Sequence, residues 1–218
     1  MFEKFLNAKD IVKILDNINE IHKDFMCCCH GRGHALFVAE TTEYILKELG
    51  HAPRTVELGK IAGLLHDIGV IAGRKSHAKK SAALAEVFLG DADFLSPEER
   101  AVIVQAIEDH SAGEHITSAI GAALLIADKI HISQQRIFKS PDLDDFHKHL
   151  LELREVKLKI SPDIITINYV TTKNLTREIL TEDFRTEYPK GHKIPQTAAE
   201  FLGRTCRFEI NDREVTFS

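Results

Sequence analysis

The chain has 218 residues, 44% of them hydrophobic and 28% charged, a balance that suits one folded domain, or one domain with an appendage, able to bury a real core. Its net charge of −5 argues against a long nucleic acid held by phosphate contacts. No apolar run approaches the roughly 18 residues of a membrane span, and the opening MFEKFLNAKDIVKIL is charged throughout, so neither a span nor a secretory leader is expected.

The first 150 residues read as helices. Ile11, Ile14, Leu15, Ile18 and Ile21 recur at helical spacing and predict a helix over 8–25. Gly31 and Gly33 break the pattern, and a second helix over 34–49 is stopped by Gly50 and Pro53. Residues 55–68 are apolar almost all round, which predicts a central buried helix. Gly69 and Gly73 bracket a loop, and Ser76 is expected to cap a helix over 77–89. Ser96-Pro97-Glu98-Glu99 is a start signal, with a cap, a proline at the first position and acids in the first turn, for a helix reaching His110. A sixth helix covers 117–133. Beyond Pro141 the pattern changes: a short helix over 144–154, a hairpin of 155–160 with 163–172 turning at Ser161-Pro162, helices over 174–188 and 194–203, and two alternating strands around Asn211-Asp212. The prediction is a mainly α chain, with a helical domain over 1–145 and a small α+β extension over 146–218 that holds a sheet of three or four strands and two helices.

Three of the four cysteines are consecutive, Cys27, Cys28 and Cys29. Neighbours rarely meet disulfide geometry, so a reducing cytoplasm is the natural setting. The triplet reads as a buried helix end. Of the 12 histidines, only His192 lies beyond residue 150. A histidine-rich, acidic module suggests a metal protein.

The sharpest feature is His66-Asp67, in AGLLHDIGV. A carboxylate at the end of a buried helix costs several kcal/mol unless it is paired or ligated, and it also faces the negative end of the helix dipole. A metal cation answers both problems. Further candidate ligands sit at helix ends: His34, His77, His110, and Asp128 in the apolar run LLIADKI. Helix termini meeting at one end of a bundle can converge six such side chains.

His34, then His66-Asp67, then Asp128, all on helices, resembles the H…HD…D signature of the HD superfamily of metal-dependent phosphohydrolases over residues 22–136. The resemblance implies an HD-type helical bundle in which these four residues bind one metal. It also implies that His77 in SHAKKSA and His110 in IEDHSAG correspond to the two extra histidines of dinuclear members. HDIG is followed by Val70 and no GYP motif occurs, which departs from the cyclic-dinucleotide hydrolases; the closer resemblance is to small stand-alone members acting on nucleotides or dinucleoside polyphosphates.

The expected cofactor is a divalent transition metal, two ions of iron or manganese before cobalt, nickel or zinc, with Asp67 bridging them. The expected reaction is hydrolysis of a phosphate ester or anhydride of a small nucleotide-like substrate by a metal-bound hydroxide, with Asp67 and Lys129 as catalytic residues. Arg74, Arg136 and Lys80 are the expected substrate contacts, Ser76 adds helix-start amides for an anion, and a homodimer is an open expectation. Two alternatives remain at this point: a di-iron oxygenase on the same ligands, and a non-catalytic module that senses a phosphorylated ligand. His115 and His131 read as surface histidines, His30, His147 and His149 as ordinary ones, and Phe138, Phe146 and Phe201 as core.

Overall fold

The computed structural model describes residues 1–22, 28–111 and 115–217. Cys27 lies outside them. The predicted helices are present as α2 (Lys9–His22), α3 (Arg32–Glu48), α4 (Pro53–Leu65), α5 (His77–Gly90), α6 (Pro97–Asp109) and α7 (Ala119–Ile130). They follow α1 (Phe2–Leu6), which is too short to show a period and is held by burial of Phe2 and Phe5. α7 is buried along almost its whole length and packs against α3 and α4, as its continuous apolar sequence requires. Among the described residues no helix is long and apolar enough to cross a membrane.

Several boundaries move. α4 stops at Leu65, and residues Ile68–Ala72 form a 3-10 turn. The cause is close packing on α5. The Gly69 amide donates to Ser81 Oγ at 2.9 Å, and a Cβ on Gly69 would lie 2.2 Å from the Ser81 nitrogen. Only glycine lets the chain after His66-Asp67 press against the helix that His77 opens. Ser76 does not cap α5. It lies in the left-handed region at φ 55° and its hydroxyl makes no capping bond. Cys28 and Cys29 are extended rather than helical: Cys28 bridges to Ile137, and the Cys29 amide donates to the Arg136 carbonyl at 2.6 Å. Cys28, Cys29 and Cys206 are not joined in disulfides.

The start signal of α6 forms as read. The Glu99 amide donates to Ser96 Oγ and the Ser96 amide donates to Glu99 Oε2, a reciprocal capping box. Glu99 also accepts from Arg54 Nε and Nη2. Ser96→Ala is therefore expected to lower stability by about 1 kcal/mol, measured as a shift of the urea midpoint at constant slope; no shift would show that the box contributes nothing.

The remainder consists of α8 (Asp145–Leu150), β1 (Leu153–Ile160), β2 (Ile164–Thr171), α9 (Arg177–Thr186), α10 (Lys190–Phe201), β3 (Thr205–Ile210) and β4 (Arg213–Val215). The sheet runs β1-β2-β3-β4: β1 and β2 are antiparallel, β2 and β3 parallel through the α9–α10 crossover, and β3 and β4 antiparallel. Asn211 and Asp212 take φ of 49° and 62°, as a two-residue hairpin turn needs. α8 is shorter than predicted because Leu153 already pairs in the sheet. α10 begins before Ile194 and carries Pro195 inside it, forgoing one helical hydrogen bond. α10 packs along α7, which docks the extension on the helix that bears Asp128. Phe201, expected in the core, is 49% exposed.

Candidate metal centre

Each of the predicted ligands sits at or near a helix end, as the sequence suggests. His34 lies in the first turn of α3, His66 caps the end of α4 with Asp67 following, His77 opens α5, His110 caps the end of α6, and Asp128 lies in the last turn of α7. Their side chains meet at one place. His34 Nε2 lies 3.1 Å from His66 Nε2, 3.4 Å from Asp67 Oδ2 and 3.2 Å from Asp128 Oδ1. His77 Nε2 lies 3.2 Å from His110 Nε2, and the two are 3.5 and 3.4 Å from Asp67 Oδ1. Asp67 thus turns one oxygen to each cluster.

Backbone bonds orient the rings. His66, His77 and His110 each donate Nδ1–H to the carbonyl three residues earlier, Gly63, Arg74 and Ile107, at 2.8, 3.0 and 2.6 Å. A neutral ring so anchored carries its lone pair on Nε2. His77 and His110 therefore point lone pairs at one another across 3.2 Å, an arrangement that repels unless a cation lies between them. Asp67 Oδ1 is buried and has no hydrogen-bond partner among the described residues, an orphaned acceptor of the kind that calls for explanation. The donor set of imidazoles and carboxylates, with the second ring nitrogen held by a carbonyl, fits a transition-metal site. Among the described residues, His34-His66-Asp128, His66-Asp67-His110 and His30-His34-Asp67 each bring donor atoms close enough to share an ion.

The electrostatics agree. Burial pushes the Asp67 carboxyl up, but His66 and His30 outweigh it and hold the group well below the usual range. Burial also opposes ionisation of Asp128, and Lys129 overcomes it, with Nζ 2.5 Å from Oδ2. In the protein without an added cation, burial lowers His66, yet the charges of Asp67 and Asp128 and their hydrogen bonds prevail and raise it to about 10. Burial, assisted by Arg136, takes His34 down to about 4, which keeps it an unprotonated donor.

The sequence reading missed neighbours of this centre. His30 is buried, and its Nδ1 lies 2.8 Å from Asp67 Oδ2. Its spacing of four from His34 is visible in the chain, but Gly31 and Gly33 hide it from a helical pattern. His131 is buried rather than on the surface: its ring stacks on Phe37 at 3.8 Å and its Nδ1 faces His34 Nδ1 at 2.9 Å. Donation from His34 to His131 leaves the His34 Nε2 lone pair for the centre.

A cavity of about 610 Å³ opens over the cluster, lined by Asp67, His77, Asp128, Lys129, Arg74 and Arg136 among others. Arg136 is buried, and its N–H groups are occupied: Nε and Nη2 donate to the Cys29 carbonyl and Nη1 to that of His131. Arg136 adds positive potential but fastens two loops. Lys80 does not line the cavity. Its ammonium folds back onto the Ala72 and Gly73 carbonyls at 2.8 and 3.1 Å, closing the 3-10 turn. Phe146 and His147 do line the cavity; Phe146 is partly buried and packs against the core as read, and it also borders the cavity.

The family model for the HD domain matches residues 31–150. Among curated proteins the chain is similar to ribonuclease Y of Enterococcus faecalis, at 29% identity over 126 residues, covering 56% of this chain and 22% of that protein. It is also similar to ribonuclease Y of Bacillus licheniformis, at 27% over 168 residues, covering 67% of this chain and 30% of that one. The chain thus spans less than a third of the length of these relatives. A solved structure, a predicted HD superfamily hydrolase from an uncultured Thermotogales bacterium, aligns at 24% identity with a TM-score of 0.45, covering 56% of this chain and 67% of that one.

Proposed function

Because the chain belongs to the HD-domain family, we propose that it is a metal-dependent phosphohydrolase that cleaves a phosphate ester or anhydride of a small nucleotide-like substrate. The observation that carries this reading is the pair of Nε2–Nε2 approaches, 3.1 and 3.2 Å, joined through the two oxygens of one aspartate. In this reading Asp67, which turns one oxygen to each cluster, would contribute to both of two ions, with His34, His66 and Asp128 holding one and His77 and His110 the other. Iron or manganese suits the mixed donors. When bound, paired ions supply Lewis acidity toward phosphoryl oxygens and toward an attacking water.

The protein's own residues do the rest. Lys129 holds Asp128 Oδ2 and leaves Oδ1 facing the histidines. Its ammonium, in the cavity wall, stabilises negative charge developing on the phosphoryl group. Arg74 reaches the same cavity from the loop before α5 and contacts the substrate's phosphate. The buried guanidinium of Arg136 raises the local positive potential without surrendering its carbonyl partners. Cysteines outside disulfides fit a cytoplasmic setting.

The test is to load the metal-free protein with Mn²⁺ under anaerobic conditions and to measure phosphate release from nucleoside mono-, di- and triphosphates and from simple phosphate esters. Turnover is expected, with about two metal equivalents per chain in the parent and one in His110→Ala. In a parallel assay of iron-loaded protein in air, oxygen uptake on substrate addition, with no phosphate released from any ester or anhydride in the anaerobic assay, would replace the hydrolase by an oxygenase. The name of the curated relatives raises a second reading, cleavage of RNA. A short oligoribonucleotide incubated under the same conditions, with its cleavage followed by the shorter products formed rather than by free phosphate, separates it from nucleotide hydrolysis.

A further inference from the structure

The cavity over the metal cluster is not made by the HD-domain match alone. Tyr188 and Lys190 also line it, and both lie beyond residue 150, where the match ends. Tyr188 sits between α9 and α10, its hydroxyl donating to the Lys129 carbonyl at 3.4 Å. Its ring and that of Phe146 are neighbours, with centroids 6.2 Å apart and planes tilted by 31°. They are too close to admit a third ring between them, and both border the cavity side by side. Gly191 makes room for the Tyr188 ring: a Cβ there would fall 2.3 Å from Tyr188 Cδ1. The cations of the cavity divide into two kinds. Lys129 is held by Asp128, and Arg136 by carbonyls. The side chains of Arg74 and Lys190 are exposed and make no hydrogen bond or ion pair among the described residues. Two uncommitted cations beside a metal centre exceed what one phosphoryl group requires.

We propose that Tyr188 and Phe146 form a platform on which a nucleobase stacks, and that Arg74 and Lys190 bind phosphate beyond the scissile group. The substrate is then a nucleoside di- or polyphosphate rather than an RNA chain. This rests on the reading of the centre as a phosphohydrolase. A cavity of about 610 Å³ lies in the range of small-molecule sites, and base–aromatic stacking tolerates any base.

The test uses the metal-loaded full chain and a 2-aminopurine ribonucleoside diphosphate with a methylene bridge between its phosphates, whose fluorescence is quenched by stacking. Tyr188→Leu is expected to weaken binding about tenfold and to relieve the quench. Tyr188→Phe keeps both, and Gly191→Ala, which displaces the ring, behaves as Tyr188→Leu does. Inorganic pyrophosphate, used as its methylene-bridged analogue and titrated by calorimetry, binds Tyr188→Leu within about twofold of the parent, because it has no base to stack. Lys190→Ala weakens the diphosphate more than the monophosphate. An equal loss for pyrophosphate and nucleotide would reduce Tyr188 to a structural role and overturn the proposal. So would unchanged nucleotide affinity in Tyr188→Leu, or tighter binding of an oligoribonucleotide than of the nucleotide. If base-free esters are hydrolysed while these results go the wrong way, the platform alone fails; if no phosphate compound is turned over at all, the hydrolase reading fails first.

Discussion

Asp67→Ala is expected to remove both metal equivalents and to lower phosphate release by about three orders of magnitude or more. The expectation follows from position. Oδ2 lies 3.4 Å from both His34 Nε2 and His66 Nε2, and Oδ1 lies 3.4 and 3.5 Å from His110 and His77. Without this carboxylate, each cluster loses an anionic donor and the two no longer share a ligand. His77→Ala touches only the second cluster and should retain one equivalent. Elemental analysis of the purified variants decides the matter, and full metal content in Asp67→Ala would remove the basis of the two-ion centre.

Chelation should destabilise the protein, and more so as the pH rises. Metal at a thousandfold excess over its dissociation constant stabilises the folded chain by about 4 kcal/mol. For a chain of this length that is on the order of 8–16 °C in Tm. The pH dependence follows from His66. In the metal-free protein its folded pKa is raised to about 10 from an ordinary 6.5. The stabilisation from that proton is complete below pH 6.5 and is lost as pH rises through 10. Asp67 and Asp128, held low, contribute stability above the ordinary carboxylate range and lose it only in acid. Metal-free protein therefore weakens from pH 6.5 to 10, whereas the loaded form has no His66 proton to lose. Melting curves at pH 6, 7.5 and 9, with and without chelator, should show a widening gap. Identical curves at every pH would mean that these residues hold no stabilising cation.

How far the chain could be read depends on the range of the interaction. The helices that carry the ligands were legible because their apolar residues recur at helical spacing and because their ends bear ordinary start and stop signals. The capping box at Ser96 and the turn at Asn211-Asp212 are local in the same sense. His66-Asp67 stood out because a carboxylate at the end of an apolar helix needs a partner. Ser76 misled because a capping residue by composition lies in a left-handed turn. Lys80 misled because a lysine beside a proposed site looks alike in sequence whether its ammonium faces a cavity or bends back onto carbonyls.

The types of donor, their order and their places at helix ends were determined by the sequence alone, since periodicity and end signals act over a few residues. Their meeting was decided by tertiary packing. His34 and His131 touch across 97 positions of chain, His30 leans on Asp67 across 37, and Tyr188 reaches Lys129 across 59. No local rule relates residues so far apart. They come together because α3, α4 and α7 bury their apolar faces against one another and α10 then packs along α7, and burial of apolar area favours close packing without regard to distance along the chain.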